Sequence, residues 1–401
     1  MATNKKIYPL KGKVQHYAWG GQTFIPQLLG IDNEGNKPCA EYWMGAHPSA
    51  SSVLLDQTQE INLNQLVKED PANTINQQVF DRFGELPYLF KVLDVKDMLS
   101  IQVHPTKAEA EKGFDAEEAA GIPISAPHRN YKDRNHKPEV MVALSDFWLL
   151  HGFRSAESLN KILEDVPEFN ILIGLYRREG AQALYRFVME MAQADINNML
   201  LPLVKRELRR KQDGELDRSM PGWWVSKLFD GQTEIGDIDR GVFSIYFFNI
   251  VYIEKGGAIF QSAGIPHAYL EGQNMELMAN SDNVLRGGLT PKHIDVPELM
   301  KHTSCEPVVP NVMKGNDLKN GEIVYPCPVP DFGISRLELN GGGYSSTAVS
   351  LEILFVTEGG CVINNELTLK KGEAAAVLAG GQYAIESSGA CTIFKAFVPQ
   401  G

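Results

Sequence analysis

The chain has 401 residues, of which 43% are hydrophobic and 22% are charged, and its formal net charge is −12. This length and composition predict a globular protein of two or three domains. The negative charge argues against general nucleic-acid binding, because phosphate backbones are held mainly by excess Lys and Arg, but a few cations in a cleft can still bind an anionic small molecule.

The first twelve residues carry no apolar core followed by a small-residue cleavage site, so we expect no secretory signal. The longest apolar run, over residues 242–253, is broken by polar residues and is too short to span a bilayer. Five cysteines are far apart, odd in number and without a C-x-x-C pair: Cys39, Cys305, Cys327, Cys361 and Cys391. We therefore expect a cytoplasmic protein with reduced cysteines and no Cys-based zinc site.

Short strands separated by Gly, Pro and Asn turns are predicted from Tyr8 to about His151. Examples lie at residues 52–55, 89–93 and 139–144. A helix is predicted to interrupt them at residues 106–120, where Thr106 can cap a segment rich in Ala, Glu and Lys.

The composition shifts at Ser155, and from there to about Gln212 the chain is rich in Leu, Ala, Glu, Arg and Met. Apolar residues recur in this segment at helical spacing, at Leu184, Phe187, Val188 and Met191. The basic run at residues 205–212 is more typical of a solvated helix end than of a nucleic-acid patch. The segment predicts a helical insertion in a β-rich protein.

The β pattern is predicted to resume at residues 241–246 and to continue to the end of the chain. Residues 255–267 resemble the second motif of the cupin fold, in which a Gly turn leads into a strand and a Gly/Pro corner presents a His inside a small jelly-roll barrel. A weaker echo at residues 371–383 puts Tyr383 where His267 stands. It predicts a second barrel that lost the metal ligand, and a chance likeness between two Gly-rich turns is the alternative.

Three separate stretches offer metal ligands. In the first, strand alternation puts Ser100, Gln102 and His104 on one face, although a solvated polar face is an equally good reading of that stretch alone. Glu139 opens a strand after a proline, and His267 lies in the Gly-Ile-Pro-His corner. Two imidazoles, a carboxylate and an amide oxygen suit Zn²⁺, Mn²⁺ or Fe²⁺ and can leave a position open for water or a substrate oxygen.

A fourth stretch, residues 276–292, offers cations. Its two glycines at 287–288 allow close approach of backbone to a ligand, and Arg286 can hold an oxyanion by two parallel bonds. Lys292 can add a point charge for phosphate. A Gly-rich loop with surface cations is the ordinary reading, but the loop directly follows the His267 corner. Together the four stretches indicate an enzyme that acts on a sugar phosphate.

Residues 131–139, and residues 267–270 together with 281–292, resemble the two signatures of the type I mannose-6-phosphate isomerase family. Residues 41–48 and 100–105 also resemble that family, and the likeness runs from about residue 16 to residue 292. The resemblance implies a zinc enzyme that interconverts mannose 6-phosphate and fructose 6-phosphate, for mannose metabolism and the supply of mannose-derived sugar nucleotides.

The resemblance also implies a site residue by residue. One zinc ion per chain would be held by Gln102, His104, Glu139 and His267. Arg286 would be the catalytic arginine, and Ser100 and Lys292 match positions implicated in holding the phosphate. One departure is Gly287, where the family usually has Ala, and the lost methyl is expected to loosen the loop slightly.

Isomerisation moves a proton between neighbouring carbons through an enediol(ate), so a base with a pKa near neutrality is needed. Lys137 can serve if nearby positive charge depresses its pKa, and His136, Glu276 and Asp282 are rivals. The sequence leaves this choice open. Arg286 can stabilise the developing negative charge.

The predicted fold is mainly β, with cupin-type jelly-roll barrels and an inserted α-helical domain. A discontinuous catalytic cupin domain is expected at 1–154 and 240–300, the helical insertion at 155–239, and a metal-free C-terminal jelly roll at 301–401. The expected partner is a small sugar phosphate, with neither nucleic acid nor membrane, and the expected state is a monomer or weak homodimer. Two alternatives remain: another metal-dependent cupin enzyme, such as an Fe²⁺ oxygenase, and a non-catalytic sugar-phosphate sensor.

Overall fold

The structure, a computed structural model, describes residues 5–57 and 59–400. The first four residues of the N-terminal segment discussed above therefore lie outside the described residues. Eleven α-helices occur in the described part of the chain: α1 (Phe24–Leu29), α2 (Leu63–Glu69), α3 (Pro71–Thr74), α4 (Gln77–Phe83), α5 (Lys107–Ala119), α6 (Ala156–Asp165), α7 (Ile173–Glu190), α8 (Gln193–Gln212), α9 (Pro221–Leu228), α10 (Gly241–Phe247) and α11 (Val296–His302).

The same residues form strands along the whole chain outside the insertion. They are β1 (Ile7–Lys11), β2 (Lys13–Gln15), β3 (Glu41–Gly45), β4 (Val53–Asp56), β5 (Gln59–Asn62), β6 (Tyr88–Val95), β7 (Gln102–Val103), β8 (Glu139–Ala143), β9 (Phe147–Phe153), β10 (Phe248–Ile253), β11 (Ala258–Gln261), β12 (His267–Ala279), β13 (Leu285–Arg286), β14 (Asn316–Asp317), β15 (Glu322–Tyr325), β16 (Gly333–Asn340), β17 (Gly343–Thr347), β18 (Glu352–Glu358), β19 (Gly360–Ile363), β20 (Leu367–Lys370), β21 (Ala374–Val377), β22 (Gln382–Glu386) and β23 (Ala390–Phe397).

The strands form antiparallel sheets, so the protein is mainly β as expected. A ten-stranded sheet contains the order β10-β9-β12-β6-β3-β2, and β8, β11, β7 and β13 branch from it. A nine-stranded sheet has the order β14-β15-β16-β23-β18-β21-β1-β4-β5, and it faces a four-stranded sheet with the order β17-β22-β19-β20. The ten-stranded sheet carries the metal-ligand candidates, because β7, β8 and β12 all belong to it.

Several local predictions are confirmed. Thr106 caps α5, as predicted, in a capping box with Glu109. The insertion begins where the composition shifts, since Ser155 caps α6 by accepting a hydrogen bond from the Ser158 amide. The longest helix of the insertion, α8, ends at Gln212 and has basic residues in its last turn. In the described residues no helix combines the length and the apolar content that crossing a bilayer requires.

One predicted strand is wrong. Residues 241–246 form the helix α10 (Gly241–Phe247), and the strand β10 begins only at Phe248. Every residue of α10 is buried, so it has no polar face. A short, continuous apolar run does not distinguish a buried helix from a buried strand by its periodicity.

The largest hydrophobic core joins the two ends of the chain. Met44, Phe90 and Leu277 of the ten-stranded sheet pack in one cluster with Ile353 and Phe355 of the nine-stranded sheet. The N-terminal strand β1 even pairs with β21 near the C-terminus. The predicted domain boundary at residue 301 stays a prediction, and this core crosses it, although a smaller core at residues 337–393 lies wholly on the C-terminal side.

A buried polar network links the nine-stranded and four-stranded sheets. Lys395 lies 2.6 Å from Glu322 and donates to the Tyr344 hydroxyl at 2.8 Å. Tyr383, which the sequence aligned with His267, donates to Glu352 at 2.6 Å. All five side chains are buried, so the ammonium of Lys395 compensates carboxylate charge in this interior.

Replacing Lys395 by Met should therefore lower the free energy of unfolding by about 3–5 kcal/mol, because it leaves buried carboxylate charge without its cation. Chemical denaturation measures this loss. The matched control is Lys319→Met, which breaks an exposed pair with Asp317 and should cost less than about 1 kcal/mol. Equal stability of the two variants would contradict the role given to Lys395.

Candidate metal and substrate site

Strand register brings the predicted ligands together. His267, the first residue of β12, is paired with Gln102 of β7. Glu139 is the first residue of β8, which also pairs with β12. His104 follows β7, and its carbonyl accepts a hydrogen bond from the Gly264 amide in the corner before His267. Residues far apart in sequence therefore meet at one end of the ten-stranded sheet.

His104, Glu139 and His267 form a buried cluster whose ligand atoms all lie within 4.8 Å of one another. The Nε2 atoms of His104 and His267 lie 3.5 Å and 3.3 Å from the two oxygens of Glu139. On the other side of each ring, Nδ1 lies 2.8 Å from the Asn283 carbonyl in His104 and 3.0 Å from the Ile265 carbonyl in His267. These contacts fix both rings so that Nε2 is available for coordination.

The charge states also suit a cation. Burial lowers the pKa of His104 to about 4, although Glu139 opposes this shift, so the imidazole is neutral. Burial alone would raise the pKa of Glu139, but the nearby positive charge of Lys137 is the main cause that holds that pKa well below its usual range. Metal ions bind neutral imidazole and ionised carboxylate. Gln102 is half-buried and lines a cavity of about 50 Å³ together with Glu139 and His267.

The donor set therefore fits a divalent cation. His104 Nε2 is fully buried and has no good hydrogen-bond partner among the described residues, a costly arrangement unless something else is bound there. Two imidazole nitrogens, a carboxylate and the amide of Gln102 match the mixed ligands of a catalytic rather than a structural site.

Arg286 lies beside this cluster, because β13 pairs with β7 and sets Arg286 opposite Gln102. Burial lowers its pKa from the ordinary value, and Lys292, more exposed, has a pKa lowered by burial and by Arg286. The Gly287 amide donates to the Ile101 carbonyl at 2.9 Å, which holds the Gly loop against the segment that contains Ser100. The loop that follows Arg286 is thus hydrogen-bonded to the residue after Ser100, and Lys292 lies close enough to Arg286 for that charge to lower its pKa.

Gly287 is tightly enclosed rather than loose. A Cβ placed on it would lie 2.9 Å from the Tyr185 hydroxyl and 3.0 Å from Cγ2 of Ile101. Tyr185 is a buried residue of α7 in the helical insertion. The expectation of a loosened loop is therefore not met, because the tyrosine fills the space that an alanine methyl would occupy.

Two of the four acid/base candidates face the cluster. Lys137 Nζ lies 3.1 Å from Glu139 Oε1, and its side chain is 11% exposed. Glu276 is buried, lines the same cavity, and has a pKa raised by burial. Its two oxygens accept hydrogen bonds from Lys91 at 3.1 Å and from the Tyr269 hydroxyl at 2.8 Å.

The other two candidates point elsewhere. The His136 imidazole lies 2.9 Å from Asp331, which belongs to the C-terminal part of the chain. The Asp282 carboxylate is 55% exposed and lies 3.4 Å from His47, and that contact is the main reason why its pKa is lowered. A carboxylate with a lowered pKa is a weak base near neutrality.

The sequence did not single out Lys91 or its partner Glu41 as site residues. Lys91 Nζ lies 3.1 Å from Glu276 and 3.6 Å from Glu41, and it lies over the Trp43 ring. Burial opposes its charge, but the carboxylates of Glu41, Glu276 and Glu139 outweigh burial and raise its pKa, so it is a fixed cation. A lysine inside the apolar strand β6 was the available signal, since an unpaired buried lysine is rare.

A comparison with protein families matches residues 7–156 to the model "Phosphomannose isomerase type I, catalytic domain". The mannose-6-phosphate isomerase of Escherichia coli (strain K12) is 39% identical over 379 residues, which cover 92% of this chain and 94% of that protein. The mannose-6-phosphate isomerase of Homo sapiens is 34% identical over 395 residues, which cover 90% of each chain.

Solved structures give the same result. A mannose 6-phosphate isomerase from Salmonella typhimurium, crystallised with its substrate and zinc, superposes with a TM-score of 0.88 at 35% identity and covers 99% of this chain and all of that one. A zinc-bound holo form of a mannose 6-phosphate isomerase has a TM-score of 0.87 at 35% identity, with the same coverage.

Replacing His267 by Ala should lower the affinity for a divalent cation by more than about 100-fold, because even residues that only orient a ligand contribute 10–100-fold. Titration of the metal-free protein with Zn²⁺ or Co²⁺ measures this change. His128→Ala, which removes an exposed histidine, is the control and should bind as the unchanged protein does. Undiminished affinity in His267→Ala would exclude this cluster as the metal site.

Proposed function

Since the chain belongs to the type I phosphomannose isomerase family, we propose that it is a zinc-dependent isomerase that interconverts mannose 6-phosphate and fructose 6-phosphate. The observation that carries the proposal is the buried cluster of His104, Glu139 and His267 with Arg286 set beside it. The same family includes relatives from bacteria and mammals with this name.

One zinc ion would be held by His104, Glu139 and His267, with Gln102 as the fourth ligand. When bound, the ion would supply a Lewis acid that polarises a carbonyl and orients the substrate oxygens. The surrounding residues of this chain then bind the phosphate, move the proton and stabilise charge.

The substrate phosphate is assigned to Ser100 and Lys292. Lys292 is exposed at the end of the Gly loop, where a flexible ammonium can reach a phosphate without the cost of full burial. Ser100 directly precedes Ile101, whose backbone N–H and carbonyl are both hydrogen-bonded to this loop. The phosphate would thus be held at the outer end of the site and the reacting carbons at the cluster.

Proton transfer between the two carbons is assigned to Lys137. It contacts Glu139 and lines the cavity. A divalent cation held by Glu139 would favour the neutral amine of Lys137 over the ammonium, and the amine can then reach substrate carbons that are held beside the cluster. Glu276 is the nearest rival, but both of its oxygens are already occupied by Lys91 and Tyr269. Its role is to hold those two groups in place.

Arg286 is assigned to stabilise the enediolate that forms when the proton leaves carbon 2. Its guanidinium stays charged although it is partly buried, and charge that develops in a site shielded from water gains most from a fixed cation.

We also propose that the two sheet systems are cupin-type jelly rolls. The antiparallel strands, the His267 corner and the facing nine-stranded and four-stranded sheets support this fold. The division into 1–154 with 240–300, 155–239 and 301–401, the cytoplasmic location and the monomer or weak homodimer stay predictions.

A coupled assay tests the function directly: mannose 6-phosphate should be converted to fructose 6-phosphate, chelation should abolish turnover, and added zinc should restore it. The alternatives give different results. An Fe²⁺ oxygenase would consume oxygen with iron bound, whereas a sensor would bind the sugar phosphate and leave it unchanged. Either result would refute the isomerase assignment.

Arg286→Ala should lower kcat by at least about 100-fold, the effect typical of removing one transition-state charge stabiliser, and should retain one zinc per chain. Steady-state kinetics and metal analysis on the same samples measure both. Arg178→Ala, on the exposed surface of the helical insertion, is the control and should keep normal turnover. Near-normal turnover in the Arg286 variant would remove that residue from the mechanism.

A further inference from the structure

The contact between His136 and Asp331 crosses from the catalytic sheet to the C-terminal part of the chain. Asp331 lies between β15 and β16, and its Oδ1 is 2.9 Å from His136 Nε2. The carboxylate is 3% exposed, while the imidazole is 23% exposed. His136 is one of the bases predicted from the sequence, and this contact directs its ring away from the metal cluster.

The buried carboxylate of Asp331 depends on His136 for compensation of its charge. Within the described residues, His136 is its one ion-pair partner, and Asp331 Oδ2 is buried without a hydrogen-bond partner. The pair borders a cavity of about 400 Å³ that is also lined by charged groups: Arg82, Glu85, Lys107, Asp133 and Arg134. A buried carboxylate is costly unless it is paired, so Asp331 strongly favours the position of His136 in which Nε2 reaches it.

The segment that contains His136 is also held from the catalytic side. The backbone N–H of Asn135 donates to the Asp133 carboxylate at 2.8 Å, and the side-chain amide of Asn135 donates to the Asn280 carbonyl at 3.1 Å. Pro138 follows and restricts the backbone before it. Asp133 therefore holds Asn135 and Asp331 holds His136, so two consecutive residues before Lys137 are fixed in place.

Lys137 lies within this fixed segment. In an extended segment neighbouring side chains point to opposite sides, so a ring directed at Asp331 puts Lys137 toward the metal cluster. There its Nζ lies 3.1 Å from Glu139. We propose that Asp331 is a positioning residue for the isomerase reaction, and that it acts through His136 to hold Lys137 at the site. The inference rests on the proposed function.

The test compares kcat, KM and zinc content in variants of the full chain, after isomerase activity of the unchanged protein has been established. Asp331→Ala should lower kcat about 10- to 100-fold, because misplacing a reacting group by about 1 Å costs about 100-fold. KM should change less than about threefold, and one zinc should stay bound. Asp331→Asn and His136→Gln keep an acceptor or a donor, and both should restore kcat to within about threefold.

The double variant Asp331→Ala with His136→Ala separates positioning from folding. It removes both polar partners, so no unpaired buried charge remains and the protein should fold as well as either single variant or better. His136→Ala alone should lower kcat as far as Asp331→Ala does, and the double variant should be no lower than either, because the two residues act as one unit. Asp317→Ala, an exposed aspartate of the C-terminal part, is the control and should keep normal kinetics.

Normal kcat per zinc-loaded chain in Asp331→Ala or in the double variant would overturn the proposal. The same holds if Asp331→Asn is as impaired as Asp331→Ala, or if the losses of the two single alanine variants add up in the double variant. An unchanged protein without isomerase activity would instead refute the proposed function, which the first assay shows before any variant is compared.

Discussion

Three side chains that can ligate a metal are packed where water cannot stabilise them, and the surrounding end of the ten-stranded sheet is organised around this constraint. His104, Glu139 and His267 are each at most 4% exposed, so a charge among them must be met by protein groups or by a bound cation. Backbone carbonyls orient both imidazoles, Lys137 approaches the carboxylate, and strand register sets Gln102 and Arg286 beside the cluster. The layer beneath follows the same rule, since Lys91 is buried only together with Glu41 and Glu276.

The C-terminal part of the chain is packed into the rest of the protein. One hydrophobic core spans both large sheets, and the N-terminal strand β1 completes the C-terminal sheet. The helical insertion likewise reaches the site, where Tyr185 encloses Gly287. In the C-terminal interior, Lys395 offsets buried carboxylates, so that interior is stabilised by a side-chain cation within the protein. Each part of the chain thus contributes to positioning or to stabilising the catalytic end.

The sequence predicted those features that depend on neighbouring residues or on side chains typical of metal ligands. Thr106 was found as a helix cap because capping is local. The metal cluster was found because strand alternation, a proline-led strand start and a Gly/Pro corner each pointed to one ligand, and the family resemblance joined them. The helix α10 was missed because complete burial erases periodicity. Lys91 was missed because its partners, Glu41 and Glu276, are distant in sequence and meet it only through strand pairing. The direction of His136 was missed because its partner Asp331 comes from the far side of the insertion.

The central claim is that zinc binds in the buried cluster through Nε2 of both histidines. A crystal structure of the zinc-loaded protein, with anomalous diffraction recorded on both sides of the zinc absorption edge, tests it most directly. We expect one strong anomalous peak within about 2.0–2.2 Å of His104 Nε2, His267 Nε2 and an oxygen of Glu139, with Gln102 as the fourth protein ligand. A peak at any other place, or coordination through the Nδ1 atoms, would contradict it.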